Sequence, residues 1–223
     1  MKYQEELSFW DNWFKDKGGE FSKAYNDRLN PDLEVGVDLK NLLRFYDVDE
    51  NFRILDAGSG PVTSLGKKLN GKKLNITATD ILGDEYREMY ESHSYTPLVP
   101  VETCSFFDLS KVFGRESFDF VYSRNSLDHC DDPLKAIVEL CLVCKKTGMV
   151  YLKNEVREAT RANGQGLHKW DFYSLSGDLI VENYITKENT SLKDYILNSC
   201  ETHLFSEIGV TETDGWVITT ISR

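Results

Sequence analysis

The sequence predicts an α/β protein, with helices covering a mostly parallel sheet, and three observations carry that assignment. Strand-like apolar runs alternate with amphipathic stretches between residues 53 and 152. The first run, Phe52-Arg53-Ile54-Leu55-Asp56-Ala57, ends on an acid and turns through Gly58-Ser59-Gly60. A second run over 74–79 ends in Asp80. A strand, a glycine turn, a short helix and a second strand tipped by a carboxylate form half of a nucleotide-binding unit. The carboxylate suits a ribose diol, because an ionised Asp accepts from both hydroxyls.

The elements follow in order. Residues 3–17 put Leu7, Phe9, Trp10, Trp13 and Phe14 mostly on one helix face, and Gly18-Gly19 stops that helix. These aromatics read as core packing, with a lid over a ligand site as the alternative. A second helix is expected over 36–46, strand one at Ile54-Leu55, and a short helix over 63–70 ending at Gly71. Strand two (74–79), a helix over 84–92 and a short, proline-led strand over 97–103 come next. Phe118 to Tyr122 is a continuous apolar run, the pattern of a parallel strand buried on both faces. Asp132-Pro133 supplies a cap and a first-turn proline for a helix running to Lys146, and Gly148 separates it from a strand over 149–152.

After Asn154 the regular alternation breaks. Lys169 to Asn183 is expected to form a hairpin turning at Ser176-Gly177-Asp178, followed by a helix near 191–198 and strands near 200–206 and 216–221. The 223 residues fit one domain, with 1–47 as a helical lid or cap and 155–185 as a substrate-side insertion.

Composition narrows the partners. A formal charge of −11 leaves no basic excess for nucleic acid or an anionic membrane. The first residues lack the apolar stretch of a signal peptide and no 18-residue apolar run occurs, so a soluble, cytoplasmic protein is expected. The cysteines are Cys104, Cys130, Cys141, Cys144 and Cys200. Cys141 and Cys144 form a C-x-x-C, but no second such pair or histidine pair completes a site, so both read as reduced core thiols.

A dinucleotide fingerprint would place a third glycine where Thr63 stands. The D-x-G-x-G at Asp56, Gly58 and Gly60, the acid Asp80, the pair Phe107-Asp108, and the segments 117–122, 125–129 and 131–133 instead resemble a class I S-adenosylmethionine-dependent methyltransferase, over roughly residues 50–155. The resemblance implies a Rossmann-like three-layer sandwich with a mostly parallel seven-stranded sheet, an antiparallel last strand and extra N-terminal helices. It implies S-adenosylmethionine as cofactor and S-adenosylhomocysteine as product. Gly58, Ser59 and Gly60 would let the backbone approach the methionine moiety. Asp56 would orient that turn or reach the cofactor's ammonium through water. Asp80, with Ile81 beside it, would hold the ribose. Asp108 would accept from the adenine amino group, with Phe107 or Leu109 against the ring, and Asn125 would face the methionine end.

Methyl transfer to a hydroxyl also needs a proton acceptor, and His129 and His168 fall where an acceptor molecule should approach. His93 and His203 read as surface or structural residues. Asp128, Asp131 and Asp132 cluster beside His129; Asp131-Asp132-Pro133 is explained by the helix start, so no metal is expected, with a divalent metal assisting the acceptor as the alternative. An Asn-Pro-Pro-Tyr-type segment is absent, which with the acidic charge points away from DNA and RNA substrates; the resemblance then implies a small-molecule acceptor, most simply a hydroxyl of a sugar-type or other biosynthetic intermediate. An N- or C-methyltransferase, a non-catalytic cofactor-binding partner and a nicotinamide dehydrogenase are the alternatives.

Overall fold

The structure, a computed structural model, describes residues 3–199 and 202–223, and the chain divides into two compact units, residues 1–104 and 105–223. The first opens with α1 (Gln4–Lys15), α2 (Ser22–Leu29) and α3 (Val37–Leu43). Strand β1 (Arg53–Ala57), the small hairpin β2 (Lys68–Leu69) and β3 (Lys72–Lys73), β4 (Asn75–Asp80), α4 (Gly83–Ser92) and β5 (Val101–Thr103) complete it. Trp10, Trp13 and Phe14 of α1 pack with Val62, Leu82, Tyr86, Met89 and Tyr90, so these three aromatics are core of this unit, while Phe9 is exposed. His93 is structural: its ring stacks on Phe14, and its Nε2 lies 2.8 Å from Asp11 Oδ1.

The helix expected over 63–70 is absent, for a visible reason. Gly66 lies against the backbone of Glu34 and Val35, where an added Cβ would fall 2.4 Å from three backbone atoms. The Glu34 carboxylate accepts the N–H groups of Asn70 and Gly71, and Val35 N–H donates to Lys68 O. Bonding to the 33–35 segment holds Lys68–Leu69 as strand and Asn70-Gly71 as a turn, overriding local helix preference. Helix α2 had no counterpart in the sequence reading, and α3 is shorter than the expected 36–46.

The second unit contains α5 (Leu109–Phe113), β6 (Phe118–Arg124), α6 (Pro133–Val143), β7 (Cys144–Glu155) and α7 (Glu158–Arg161). Next come β8 (Trp170–Leu175), β9 (Asp178–Asn183), β10 (Asn189–Ser191), α8 (Leu192–Leu197), β11 (Glu207–Thr213) and β12 (Trp216–Ser222). Asp132 caps α6 by accepting Lys135 N–H at 3.0 Å, with Pro133 in the first turn. That helix stops at Val143 rather than Lys146, because Cys144 already pairs with Phe118. A register shift between Phe118 and Phe120 then lets the strand resume at Met149. Cys141 and Cys144 are fully buried free thiols, and burial pushes Cys144 up to about 12. Ser176 and Gly177 both take positive φ, the two-residue turn that closes β8–β9 as expected. Of the strand expected near 200–206, Cys200 and Glu201 lie outside the described residues; Thr202–Leu204 is a single helical turn, and pairing begins at Glu207.

Seven strands make one sheet in the order β11-β12-β7-β6-β1-β4-β5, a Rossmann-like arrangement. The β1–β4, β4–β5 and β6–β7 pairs are parallel, and β12 is antiparallel to both neighbours. Strands β8–β10 form a separate antiparallel sheet; β8 and β9 fall within the region expected as an insertion, and β10 lies beyond it. Among the described residues, no helix is long and apolar enough to cross a membrane.

Candidate active site

In the first unit, parallel register puts Ala57 opposite Thr79, so the turn after β1 and Asp80 meet at the carboxyl ends of adjacent strands. Thr79 O accepts the N–H groups of Gly58 and Ser59 at 2.8 and 3.0 Å. Gly58 and Gly60 take φ of 69° and 64°, a region costly for side-chain-bearing residues. An added Cβ on Gly60 would lie 2.9 Å from the Trp10 ring, so α1 packs directly on this turn. Asp80 Oδ2 accepts Gly60 N–H and Oδ1 accepts Leu82 N–H, both at 3.0 Å. Burial raises the Asp80 carboxyl to about 6, with the charges of Glu6 and Asp56 adding and the two N–H donors opposing. Ile81 beside it is 47% exposed, an apolar side chain left open at a strand end.

Asp56 is buried and accepts from the Thr63 hydroxyl, whose oxygen in turn accepts Leu65 N–H. It therefore braces the turn from beneath. Ser59 is also buried and donates to Gly60 O. Lys67 lies buried nearby, and burial, helped by the Arg28 charge, lowers its amine to about 8. Sequence reasoning missed it, since one lysine in a polar stretch carries no periodic signal.

In the second unit, Ser105 Oγ accepts Phe107 N–H and starts the turn that holds Phe107 and Asp108. Asp108 is exposed, with Lys111 at 3.7 Å, and Phe107 is partly exposed beneath the Lys135 ammonium. Leu109 corrects the expectation of a ring contact: it is 0% exposed, packed into the core as α5 begins, and offers a ligand no surface. Asn125 takes φ of 50° just past β6, and its Oδ1 accepts Glu155 N–H at 2.9 Å.

The two histidines singled out from sequence, 39 residues apart, come together here. His168 Nδ1 lies 2.6 Å from Asp128 Oδ2 and 3.1 Å from His129 Nε2, which is itself 3.3 Å from the same carboxylate oxygen. Asp128 is 2% exposed, and each histidine is about three-quarters buried. Glu158 Oε1 stands 4.0 Å from His168 Nδ1. Its carboxyl is raised above the ordinary range by burial and then by Asp128's charge. His168 owes its position to the chain on either side of it: Lys169 N–H donates to Asp128 O, and Trp170 Nε1 donates to Cys130 O. Glu158 was missed because a lone acid in an irregular polar segment looks like a surface residue. His203 is exposed and distant in role from this group.

A comparison with curated protein sequences finds no match. Residues 55–152 match the family described as Methyltransferase domain. Among solved structures, the chain is similar to a Methanococcus maripaludis protein assigned to the S-adenosyl-L-methionine-dependent methyltransferases, with a TM-score of 0.55 and 15% identity over 95% of this chain and 90% of that one. An O-methyltransferase family protein from Burkholderia thailandensis gives a TM-score of 0.51 at 12% identity, over 83% of this chain and 55% of that one. The CurJ carbon methyltransferase gives 0.50 at 14%, over 82% and 51%. At such identities these likenesses concern the fold. The match over residues 55–152 and the shared fold agree with the class I S-adenosylmethionine-dependent methyltransferases that the sequence resembles.

Proposed function

We propose that the protein transfers the methyl group of S-adenosylmethionine to a hydroxyl of a small molecule, such as a sugar-type biosynthetic intermediate. The observation that carries the choice of oxygen is the convergence of His129 and His168 on the buried Asp128 carboxylate. A hydroxyl is a poor nucleophile until its proton leaves, and a pair of imidazoles held by a carboxylate suits that task.

The residues of the first unit fit the cofactor. The left-handed Gly58 and Gly60 leave the backbone bare for the methionine moiety. Each Asp80 oxygen accepts one N–H and keeps a lone pair for a ribose hydroxyl. Ile81 offers apolar surface to the adenine, and Asp56 keeps the turn in shape. In the second unit, Asp108 is open to the adenine amino group, Phe107 supplies an aromatic face, and Asn125 stands at a strand end suited to the methionine end of the cofactor. Helix α1, with Trp10 on Gly60, would cap the turn of the first unit, and residues 155–185 would line the acceptor's side of the histidine group within the second unit.

S-adenosylmethionine supplies an electrophilic methyl on a sulfonium. The chain's task is to align the acceptor oxygen, exclude water and remove one proton. The acceptor's O–H proton passes to the Asp128–His129–His168 group as the oxygen–carbon bond forms. When bound, S-adenosylmethionine would keep the carbon–sulfur electron pair on its sulfur and leave as S-adenosylhomocysteine. His129→Ala and His168→Ala should each lower kcat about 10²–10⁴-fold while leaving cofactor affinity within about twofold. Unchanged turnover in both variants would overturn the proton-acceptor role and favour a nitrogen acceptor, which needs no such base at neutral pH.

A further inference from the structure

We infer that Asp128, His129 and His168 form a binding site for one divalent first-row transition-metal cation. The three facing atoms, Asp128 Oδ2, His129 Nε2 and His168 Nδ1, make a triangle with edges of 2.6, 3.1 and 3.3 Å. Metal–nitrogen and metal–oxygen bonds of about 2.0–2.2 Å impose ligand-to-ligand spacings of about 2.9–3.4 Å between right-angle and tetrahedral geometry. Two edges already match, and the third needs to open by only a few tenths of an ångström.

Hydrogen bonding alone accounts for this arrangement poorly. Both imidazoles crowd one carboxylate oxygen, while Asp128 Oδ1 is buried without a hydrogen-bond partner, on a side chain 98% withdrawn from solvent. A cation would draw on both oxygens. Charge argues the same way. Glu158 adds a second carboxylate within 4.0 Å of His168, and its Oε2 is likewise buried without a partner. The neighbouring Lys169 ammonium is engaged elsewhere, 2.8 Å from Asp131. The imidazole share of the ligand set favours zinc, iron, nickel or copper over magnesium, calcium or manganese. Three protein ligands leave coordination positions open, as in catalytic rather than structural sites. The inference rests on the oxygen-acceptor reading for its purpose and refines it: with both ring nitrogens on the cation, an acceptor hydroxyl bound at an open position would have its pKa lowered and would lose its proton to water instead of to an imidazole.

The test is titration of chelator-treated protein with Co²⁺, followed by d–d absorbance, with elemental analysis of Zn²⁺-loaded samples for stoichiometry. Binding of S-adenosylmethionine is measured by calorimetry on the same preparations. Wild type and a His203→Gln control should take up one equivalent. Asp128→Asn and His168→Ala, checked for folding by circular dichroism, should bind at least about 100-fold more weakly. Folded protein that binds S-adenosylmethionine but takes up no stoichiometric cation would overturn the site while leaving the methyltransferase reading intact. Uptake unchanged in both variants would overturn it equally. Loss of cofactor binding alone would strike the methyltransferase reading and not the cation site.

Discussion

Asp80→Asn isolates the electrostatic cost of the carboxylate at the second strand end. Burial lifts this carboxyl from the ordinary 3.8 to about 6. A carboxyl whose pKa is raised on folding stabilises the protein below about pH 4, and that contribution disappears as pH rises through about 6. A shift of about two units corresponds to about 3 kcal/mol; residual exposure of the residue reduces this to about 2 kcal/mol. The amide does not titrate, so the stability of wild type minus that of the variant removes every other group to first order. Urea unfolding of both proteins at pH 4, 5, 6 and 7 should show that difference falling by about 2–3 kcal/mol as pH rises. Saturating S-adenosylmethionine should shrink the fall, because ribose hydroxyls donating to the ionised carboxylate offset its burial. A difference that stays flat, or grows with pH, would refute the buried-charge account of Asp80.

The other expectations concern the turn, the helix cap and the thiols. Gly60→Ala forces a side chain into a left-handed backbone and against Trp10, 2.9 Å away; urea unfolding should show a loss of about 2–3 kcal/mol, and a loss under about 0.5 would contradict the close packing. Asp132→Ala removes the α6 cap and should cost about 1 kcal/mol in thermal unfolding while leaving cofactor affinity unchanged. Cys141 and Cys144, fully buried, should resist a thiol reagent at pH 8 until the protein is unfolded. Mass-spectrometric detection of rapid native-state labelling at either would show that the second unit's core is open.

The sequence revealed most where chain-local signals and tertiary structure agree. Phe118 to Tyr122 read correctly as a buried parallel strand because burial on both faces leaves an unbroken apolar run. Asp132-Pro133 and Ser176-Gly177 were legible because capping and turn chemistry act within a few residues. The segment 63–70 failed because its conformation is set by Glu34, more than thirty residues away, through bonds to Asn70 and Gly71. Leu109 failed because burial is a property of packing, not of residue type or motif position. The histidines were found as chemistry-bearing residues on their segments. Their shared carboxylate was not recognised as the feature joining them: Asp128 and His168 lie forty residues apart, and no periodicity marks a contact at that range.

Calorimetric titration of the purified protein with S-adenosylmethionine and S-adenosylhomocysteine, beside Asp80→Ala, tests the central claim most directly. The structure predicts binding of both ligands with micromolar dissociation constants and a loss of at least about tenfold in the variant, the equivalent of about 1.4 kcal/mol. A folded wild-type protein that releases no heat with either ligand would contradict the claim that this chain works through S-adenosylmethionine.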